Sequence, residues 1–576
     1  MEPIAQAREN ISLVTKYAEA PSSRFRIIAT RSAKEGSPLY AIKVNGIARS
    51  FFYSIAELST EYKEERRVQL MEVIKQSVSC ISGLGKEEFI LEGRKTDLFN
   101  ISQRFNQAMQ AAREAKGSIL KESEISFIEP KDASVKRELA PIFSEVKEEK
   151  AEQGKDQPIK VGAHYRYPAD VAPHGLEAAR IFLCTQAERI ASLFCKRYRY
   201  FREGVTEADI RTTNAPLPAE QTSPSSYWVG HSTCFISIPV QEQKDATKIK
   251  TINVLTDPVE GSLNALLYPR RTQPGRKIEE LPAVHVMLLS HNHLDHYSGA
   301  TIKKLLIMQP TMVVPEGDGN LFTSLGFKNV HEQKWWDKAN ITLSAGDEKY
   351  QISITAVPSH HWAGQGIRGA GSYFVGHVIS GASGGGDIYY AGDTARLNEE
   401  HIKALRQRFD IRWMYQPGGP DEMRSDMEST HQSSADSLWM HTELFLKKAL
   451  ENHSESKKEF VEACQQNKTI LMHTSTFKLG NLHADDTKKS IGRVLKALKH
   501  TGEEKAEKYI KELRPYEQRI LEELCSFQEQ VNFESKEDFS YQELATLLRE
   551  GVFVPKIGAR IDFDKKKDEQ KKNLQF

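Results

Sequence analysis

The chain has 576 residues, of which 39% are hydrophobic and 27% are charged, and its formal net charge at pH 7 is +1. A chain of this length predicts two or three domains rather than one core. The balanced charge excludes an overall attraction to nucleic acid, and the N-terminus lacks the basic start and apolar stretch of a secretory signal. We therefore expect a cytoplasmic protein with free thiols and no membrane-spanning segment.

The first 146 residues predict a small accessory α+β domain. They contain none of the 18 histidines. Asn45-Gly46 suits a tight turn between Tyr40–Val44 and Ile47–Phe51, which predicts a hairpin. The stretches 54–79 and 97–116 carry apolar residues at helical spacing. We expect this domain to contact a protein partner or a membrane rather than to carry the chemistry.

The composition of the remaining chain predicts a linker, a catalytic domain and a tail. Residues 147–158 contain a single alanine as their only apolar residue before the proline, so we place a linker at 147–165. From 166 to 564, short apolar runs that end in Gly, Asp or His alternate with helical stretches, which predicts an α/β layered catalytic domain. Residues 565–576 form a charged tail.

A cluster of potential metal ligands follows the apolar run 283–289, which predicts a buried strand. The cluster contains His291, His293, Asp295 and His296. Imidazole and carboxylate are ligands that zinc prefers, and this spacing lets one loop direct two ligands to each of two ions. Three later residues also follow apolar runs and are candidate ligands: His361, Asp393 and His473.

These segments resemble the metallo-β-lactamase superfamily, and within it the N-acylphosphatidylethanolamine-hydrolysing phospholipase D branch. The superfamily motif is Ser-His-Asn-His-Leu-Asp-His at 290–296. The blocks that indicate the branch are Trp335-Trp336, Val-Pro-Ser-His-His-Trp at 357–362, Tyr-Ala-Gly-Asp-Thr at 390–394, His-Gln-Ser-Ser-Ala at 431–435, and the run from Met472 to His483. The resemblance implies an αββα sandwich.

The resemblance also implies a site with two divalent ions, most simply zinc. His291, His293 and His361 would hold one ion, Asp295, His296 and His473 the other, and Asp393 would bridge both. A hydroxide between the ions would attack phosphorus. We expect Asp295 to act as a ligand rather than as a separate base, because a metal-bound carboxylate has its lone pairs engaged.

His431 matches a histidine that the family places beside the substrate phosphate, so it is the second candidate catalytic residue. His231 we interpret as structural, since a buried histidine that bonds to backbone is common. His360 competes with His361, but His361 is the residue just before the tryptophan, as in the family pattern.

The activity implied is hydrolysis of a glycerophospholipid phosphodiester at a membrane surface. The loop with Leu263–Leu267, Tyr268, Arg270 and Arg271 pairs apolar with basic residues and is the candidate lipid contact. Gln365 and Thr430 depart from the family pattern, which leaves the head group open. A lactonase, a thioesterase and a metal-dependent nuclease of the same fold remain alternatives, although we find no basic, aromatic-rich platform for nucleic acid.

Overall fold

The computed structural model describes residues 24–32, 39–45, 88–94, 143–152, 157–161, 164–168, 200–212, 223–263, 269–364, 372–421, 427–478 and 483–564. The chain divides into two compact units near residue 136. In the first unit, strands β1 (Arg24–Ser32), β2 (Leu39–Asn45) and β3 (Glu88–Arg94) form an antiparallel sheet in the order β2-β1-β3.

One strand of the hairpin predicted in this unit is present in the structure, and its predicted partner lies outside the described residues. β2 covers the predicted strand 40–44, but it pairs with the preceding β1, with Ser32 opposite Leu39. The predicted second strand at 47–51 and the predicted helices at 54–79 and 97–116 lie outside the described residues.

The second unit contains two large mixed sheets within its described residues. One has the order β12-β11-β10-β9-β8-β7-β20 and the other β19-β18-β17-β16-β15-β14-β13-β4. The strands of the first sheet are β7 (Ser225–Gly230), β8 (Thr233–Gln241), β9 (Ile249–Thr256), β10 (Val286–Leu288), β11 (Thr311–Pro315), β12 (Val330–Gln333) and β20 (Arg560–Asp562). Those of the second are β4 (Phe143–Glu149), β13 (Lys338–Ala345), β14 (Glu348–Val357), β15 (Gly376–Ser380), β16 (Asp387–Tyr390), β17 (Ile411–Pro417), β18 (Lys468–Met472) and β19 (Val552–Phe553). A two-stranded ribbon joins β5 (Ile159–Val161) to β6 (His164–Arg166).

The two large sheets share an apolar layer because their strands alternate in side-chain direction. Along β10, Val286 and Leu288 join the core that both sheets share, whereas Met287 faces the opposite side. Ile352 and Ile354 of β14 enter the shared core from the second sheet. This alternation is what buries both faces of each sheet.

Helices cover the outer faces. The bounds are α1 (Glu207–Ile210), α2 (Gly299–Lys303), α3 (Gly319–Thr323), α4 (Glu399–Arg408), α5 (Asp436–His441), α6 (Lys447–Asn452), α7 (Lys457–Gln465), α8 (Asp486–Lys499), α9 (Ala506–Ile510), α10 (Pro515–Gln530) and α11 (Tyr541–Gly551), with a 3₁₀ turn at Ile278–Glu280 and a π-helical turn at Thr442–Leu446. Apolar residues of α2 and α3 pack on the first sheet, and those of α4, α5, α8, α10 and α11 pack on the second. No helix in the described part of the chain is long and apolar enough to cross a bilayer.

The layers therefore run helix, sheet, sheet, helix, which confirms the predicted αββα sandwich. The predicted start of the linker needs correction, since β4 includes residues 147–149 and pairs with β13 from Lys338 to Ser344. β4 is the last strand in the order of its sheet, and its side chains from Glu145 on are mostly exposed. An edge strand with solvated side chains needs few apolar residues. The division of the chain into domains otherwise stays a prediction.

Candidate metal centre

The histidine motif lies in a loop directly after β10. This short, fully buried strand runs parallel to β9 and β11, so its carboxyl end opens beside theirs. Leu294 of the loop is 56% exposed, whereas His291 and His296 on either side of it are buried. The loop thus turns its polar side chains inward and its one leucine outward, which is the reverse of ordinary burial.

The other candidate ligands also follow strands. His361 comes after β14, Asp393 after β16 and His473 after β18. His473 has a positive φ of 58°, a conformation uncommon for a residue with a side chain. Both sheets therefore contribute to one site at the end of the sandwich.

The centre of the cluster is the carboxylate of Asp393, which is almost fully buried. The Nε2 atoms of five histidines lie around its Oδ2: His296 and His473 at 3.1 Å, His431 at 3.3 Å, His361 at 3.8 Å and His291 at 4.0 Å. His293 joins through its Nδ1, which is 2.8 Å from His291 Nε2 and 3.2 Å from His361 Nε2. Asp295 Oδ2 lies 3.5 Å from His473 Nε2.

All seven predicted ligands therefore lie in one buried cluster. The potential donor atoms of His291, His293 and His361 lie within 4.8 Å of one another, as do those of His231, Asp295, His296 and His473. His360 lies apart from this cluster, since its ring stacks on Tyr167 with the centroids 3.9 Å apart. The geometry thus favours His361 over His360.

The protonation of the cluster reflects burial and mutual charge. Burial and the neighbouring His296 lower the pKa of His291 far below its usual value, and burial lowers that of His293 to about 4. Burial alone would also lower the pKa of His473, but the carboxylates of Asp393 and Asp295 raise it to about 9. The same two carboxylates, with Asp257, raise the pKa of His296 well above its usual value against the effect of burial.

Polar atoms without partners provide a test of whether a cation fits. His293 Nε2 and Asp393 Oδ1 are buried and make no hydrogen bond within the described residues. A buried acceptor without a donor costs about 1–3 kcal/mol, so such atoms in one cluster point to a missing partner. Imidazole nitrogens and carboxylate oxygens are the usual donors to zinc, and the residues present therefore fit divalent ions.

Hydrogen bonds behind the cluster orient its imidazoles. His361 Nδ1 donates to Thr430 O at 2.7 Å, and His296 Nδ1 donates to Asp257 Oδ2 at 2.6 Å. Ser290 Oγ donates to the same Asp257 oxygen at 2.6 Å and lies 3.0 Å from His291 Nδ1, from which it can accept. Each bond fixes the proton on Nδ1 and leaves Nε2 directed into the cluster.

His431 was predicted near the substrate phosphate, and the structure brings it to the rim of the cluster. Its Nε2 lies 3.3 Å from Asp393 Oδ2, and its Nδ1 lies 2.9 Å from Thr430 Oγ1. The side chain is 13% exposed, whereas those of His291, His361 and His473 are exposed by 1% or less. His431 therefore contacts the cluster and is more exposed than these three candidate ligands.

The candidate lipid contacts do not lie together on the surface. Arg270 turns inward: its Nε donates to Thr272 O at 2.8 Å, its Nη1 donates to Val259 O and Glu260 O at 3.1 Å each, and its guanidinium lies 5.6 Å from the Phe477 ring. Its role as a lipid contact is therefore corrected to that of a loop support. Arg271 is exposed, and Tyr268 lies outside the described residues.

Two residues have roles that the sequence analysis missed. Asp257 was not singled out from the sequence, although it directly follows the apolar run of β9 as the candidate ligands follow their strands, and in the structure it has a positive φ of 35°. His231 was interpreted as structural, and its backbone N–H does donate to Thr476 Oγ1 at 2.7 Å. Its side chain, however, lies with Nε2 3.1 Å from Asp295 Oδ2, where burial and His473 lower its pKa to about 3. The neutral ring therefore donates to Asp295 and orients it.

Comparison with known proteins agrees with this geometry. Residues 252–473 match the family model described as a beta-lactamase superfamily domain. The N-acyl-phosphatidylethanolamine-hydrolyzing phospholipase D, mitochondrial, of Saccharomyces cerevisiae is 29% identical over 27% of this chain and 34% of its own length. The corresponding phospholipase D 1 of Caenorhabditis elegans is 24% identical over 37% of this chain and 59% of its own length. The chain thus matches a third to three fifths of the length of these curated relatives.

Among solved structures, a putative metal-dependent hydrolase from Parabacteroides distasonis is 16% identical and matches 46% of this chain and 86% of its own, with a TM-score of 0.25. The short form of human tRNase Z is 12% identical and matches 43% of this chain and 92% of its own, with a TM-score of 0.24. Residues 252–473 thus match a beta-lactamase superfamily domain, and parts of the chain are similar in sequence to the yeast and nematode phospholipases D.

Proposed function

We propose that the chain hydrolyses a phosphodiester bond of a glycerophospholipid in the manner of a phospholipase D, which releases an alcohol and leaves phosphatidic acid. The observation that carries the proposal is the cluster around Asp393, in which the five histidines and two carboxylates of the predicted ligand set converge and His431 joins them at the more exposed side. The phospholipase names of the yeast and nematode relatives support the choice of a phospholipid as substrate.

The residues that would hold two ions are those that converge in the cluster. We assign His291, His293 and His361 to one ion, Asp295, His296 and His473 to the other, and Asp393 to both. Zinc is the first choice, because nitrogen and carboxylate donors of this kind suit it. Two such ions, when bound, lower the pKa of water and neutralise charge on the phosphoryl oxygens.

The chain's own residues would orient the metal ligands and donate a hydrogen bond to the reacting phosphate ester. Asp257 and Ser290 hold His296 and His291 with Nε2 inward, and His231 holds Asp295. His431 Nε2 faces the same space from the solvent side, so it can donate a hydrogen bond to a phosphoryl oxygen or to the departing alkoxide. That bond strengthens as negative charge develops in the transition state, which is where it accelerates the reaction.

We propose that lipid approaches the site along the surface next to the loop that contains Arg270 and Arg271. Arg271 is exposed next to the inward-facing Arg270, and a surface cation of this kind attracts anionic lipid by about 1 kcal/mol. We propose docking on a membrane surface without a spanning segment. The N-terminal residues 1–146 remain a candidate contact for a protein partner, which a pull-down with the full chain and with residues 137–576, a fragment that keeps β4 whole, would test by comparison.

The decisive experiment labels the bond that is hydrolysed. Purified full-length protein with two equivalents of zinc is incubated in ¹⁸O-water with vesicles of N-acylphosphatidylethanolamine, phosphatidylethanolamine and phosphatidylglycerol, and the products are analysed by mass spectrometry. Attack of water at phosphorus places one ¹⁸O in phosphatidic acid and none in the alcohol. Chelated protein is the control and should form no product until zinc is restored.

Other outcomes identify the alternatives. Label in a released fatty acid, or turnover of a lactone or thioester panel with no phosphatidic acid, would replace the phospholipase proposal with a carboxyl-ester chemistry on the same centre. Cleavage of RNA in preference to both would replace it with a nuclease.

A further inference from the structure

We propose that a narrow crevice beside the metal centre binds a hydroxyl group of the substrate's alcohol, and that Tyr200 is the residue that recognises it. The inference rests on the proposed phosphodiesterase function. The crevice shares one wall with the metal centre, because His473 lines both. Its other main lining residues are Tyr200, Thr474, Ser475, Phe477 and His483.

Tyr200 comes from a segment that precedes the residues matched by the superfamily family model, 252–473. This segment is fixed against the loop after His473. Ala484 N–H donates to Tyr200 O at 2.9 Å, and Arg202 pairs with Asp485 at 3.4 Å and also with Asp486. The ring of Tyr200 is thereby held in the crevice wall with 7% of its surface exposed. The side chain is thus a preformed part of the site.

Two side-chain atoms of the residues that line the crevice lack hydrogen-bond partners within the described part of the chain. Tyr200 Oη and His483 Nδ1 are buried and make no hydrogen bond there. Thr272 lies near the phenol, but its hydroxyl donates to Ser475 O at 2.5 Å. Burial raises the pKa of Tyr200 above its usual value, so the phenol keeps its proton and can donate. A phenol and an imidazole nitrogen that face one space together recognise a group able to accept and donate.

Size and charge restrict the ligand. The crevice has about 10 Å³ of free volume, room for roughly one water-sized group. The charges around the crevice are mixed: Arg270 lies over the Phe477 ring, and Arg202, which together with burial lowers the pKa of His483, is itself paired with Asp485 and Asp486. None of the described residues that line the crevice is a carboxylate, so an ammonium group would lose its hydration there without a paired charge. The size and the lining therefore fit a hydroxyl rather than an ammonium group or an acyl chain.

The test compares two phosphate esters that differ only in that hydroxyl. Binding of 2-hydroxyethyl phosphate and of ethyl phosphate to zinc-loaded full-length protein is measured by calorimetry. Metal contacts to the phosphate are the same for both, so the ratio of the two dissociation constants reports the crevice. We expect the wild type to prefer 2-hydroxyethyl phosphate by about 3- to 10-fold, as one net hydrogen bond allows. Tyr200→Phe should bring the ratio to about one.

The matched control is Tyr389→Phe. Tyr389 Oη is also buried without a partner in the described residues, but it lies in the core under the helices and does not line the crevice. This variant should keep the wild-type ratio and zinc content. Equal binding of both esters by the wild type would overturn the crevice proposal and leave the phospholipase proposal standing. If the wild type prefers 2-hydroxyethyl phosphate but releases no ¹⁸O-labelled phosphatidic acid, the crevice proposal stands and the phospholipase proposal falls. Failure to bind either ester would count against both proposals.

Discussion

Two buried carboxylates of this domain differ in how completely they are hydrogen-bonded. Glu517 at the start of α10 accepts from Ser490 Oγ at 2.7 Å, from Arg493 Nε at 3.0 Å and from Arg514 N–H at 3.0 Å. Asp393 is equally buried, but its Oδ1 has no donor in the described residues. Its Oδ2 lies 3.1 Å from Nε2 of His296 and of His473, whose raised pKa values let them donate to it when no cation is bound. A carboxylate with fixed donors on both oxygens stabilises the fold, whereas one that keeps a free oxygen among imidazoles can bind a cation.

The largest expected effect comes from the paired change Asp295→Asn and His296→Ala. It removes two of the three residues assigned to one ion and should lower zinc content from about two equivalents to about one. We expect phospholipid hydrolysis to fall by about 10³-fold or more, since one ion can no longer stabilise the phosphoryl oxygens. Zinc by elemental analysis and phosphatidic acid by mass spectrometry measure the two effects.

The matched control is Asp347→Asn, which alters an exposed carboxylate in the turn between β13 and β14. It should leave both measurements unchanged. Undiminished hydrolysis in the paired variant would mean that this cluster is not the catalytic centre, and two retained equivalents of zinc would mean that the ion is held by other residues.

The second prediction separates catalysis from metal binding within the cluster. His431→Ala should lower the rate of hydrolysis by about 10²–10³-fold, because the group that stabilises developing charge is lost. Zinc content should stay at the wild-type value, since His431 lies outside the seven assigned ligands. If zinc is lost with activity, His431 is itself a ligand and the assignment of His361 or His473 needs revision. Hydrolysis by this variant at the wild-type rate would show that His431 takes no part in catalysis.

The third prediction concerns the satisfied carboxylate. Glu517→Ala should lower the free energy of unfolding by about 2 kcal/mol, because Arg493 and Ser490 lose a buried acceptor. Glu523→Ala on the same helix removes a partly exposed partner of Arg396 and should cost less than about 1 kcal/mol. Urea denaturation measures both changes. Neither variant should alter zinc content, and loss of zinc from Glu517→Ala would contradict the comparison.

The site was largely predictable because its ligands are local signals. His291, His293, Asp295 and His296 share one loop, and His361 and His473 each follow an apolar run that ends in a strand. The αββα architecture follows from the same alternation of apolar runs and helical stretches.

What escaped prediction depends on contacts between distant segments. The contact between His231 and Asp295 joins residues 64 positions apart, and the inward turn of Arg270 depends on backbone carbonyls of its own loop and on Phe477. The charged strand β4 escaped because an edge strand can be stabilised by backbone pairing while its side chains stay in water. Patterns of apolar residues carry no information on such pairing.

The smallest expected effect concerns Asp318, whose carboxyl group accepts hydrogen bonds from two neutral side chains. Its Oδ1 accepts from Asn292 Nδ2 at 2.8 Å and from Ser372 Oγ at 2.7 Å, and burial raises its pKa to about 7. An unfolded Asp has a pKa of about 3.9, so between about pH 4 and pH 7 the folded state binds the additional proton. The free energy of unfolding contributed by this group therefore falls as pH rises through that window.

Asp318→Asn should remove that dependence, because an amide resembles the protonated carboxyl and does not titrate. Relative to the wild type, the variant should gain about 1 kcal/mol in free energy of unfolding on going from pH 6 to pH 8. Urea denaturation of both proteins at each pH, in the same metal state, measures the difference, and the exposed Asp347→Asn should follow the wild type. A variant that loses stability relative to the wild type at pH 8 would show that Asp318 is held as a carboxylate. Its bonds to Asn292 and Ser372 would then make it a satisfied acceptor like Glu517 rather than an intermediate case.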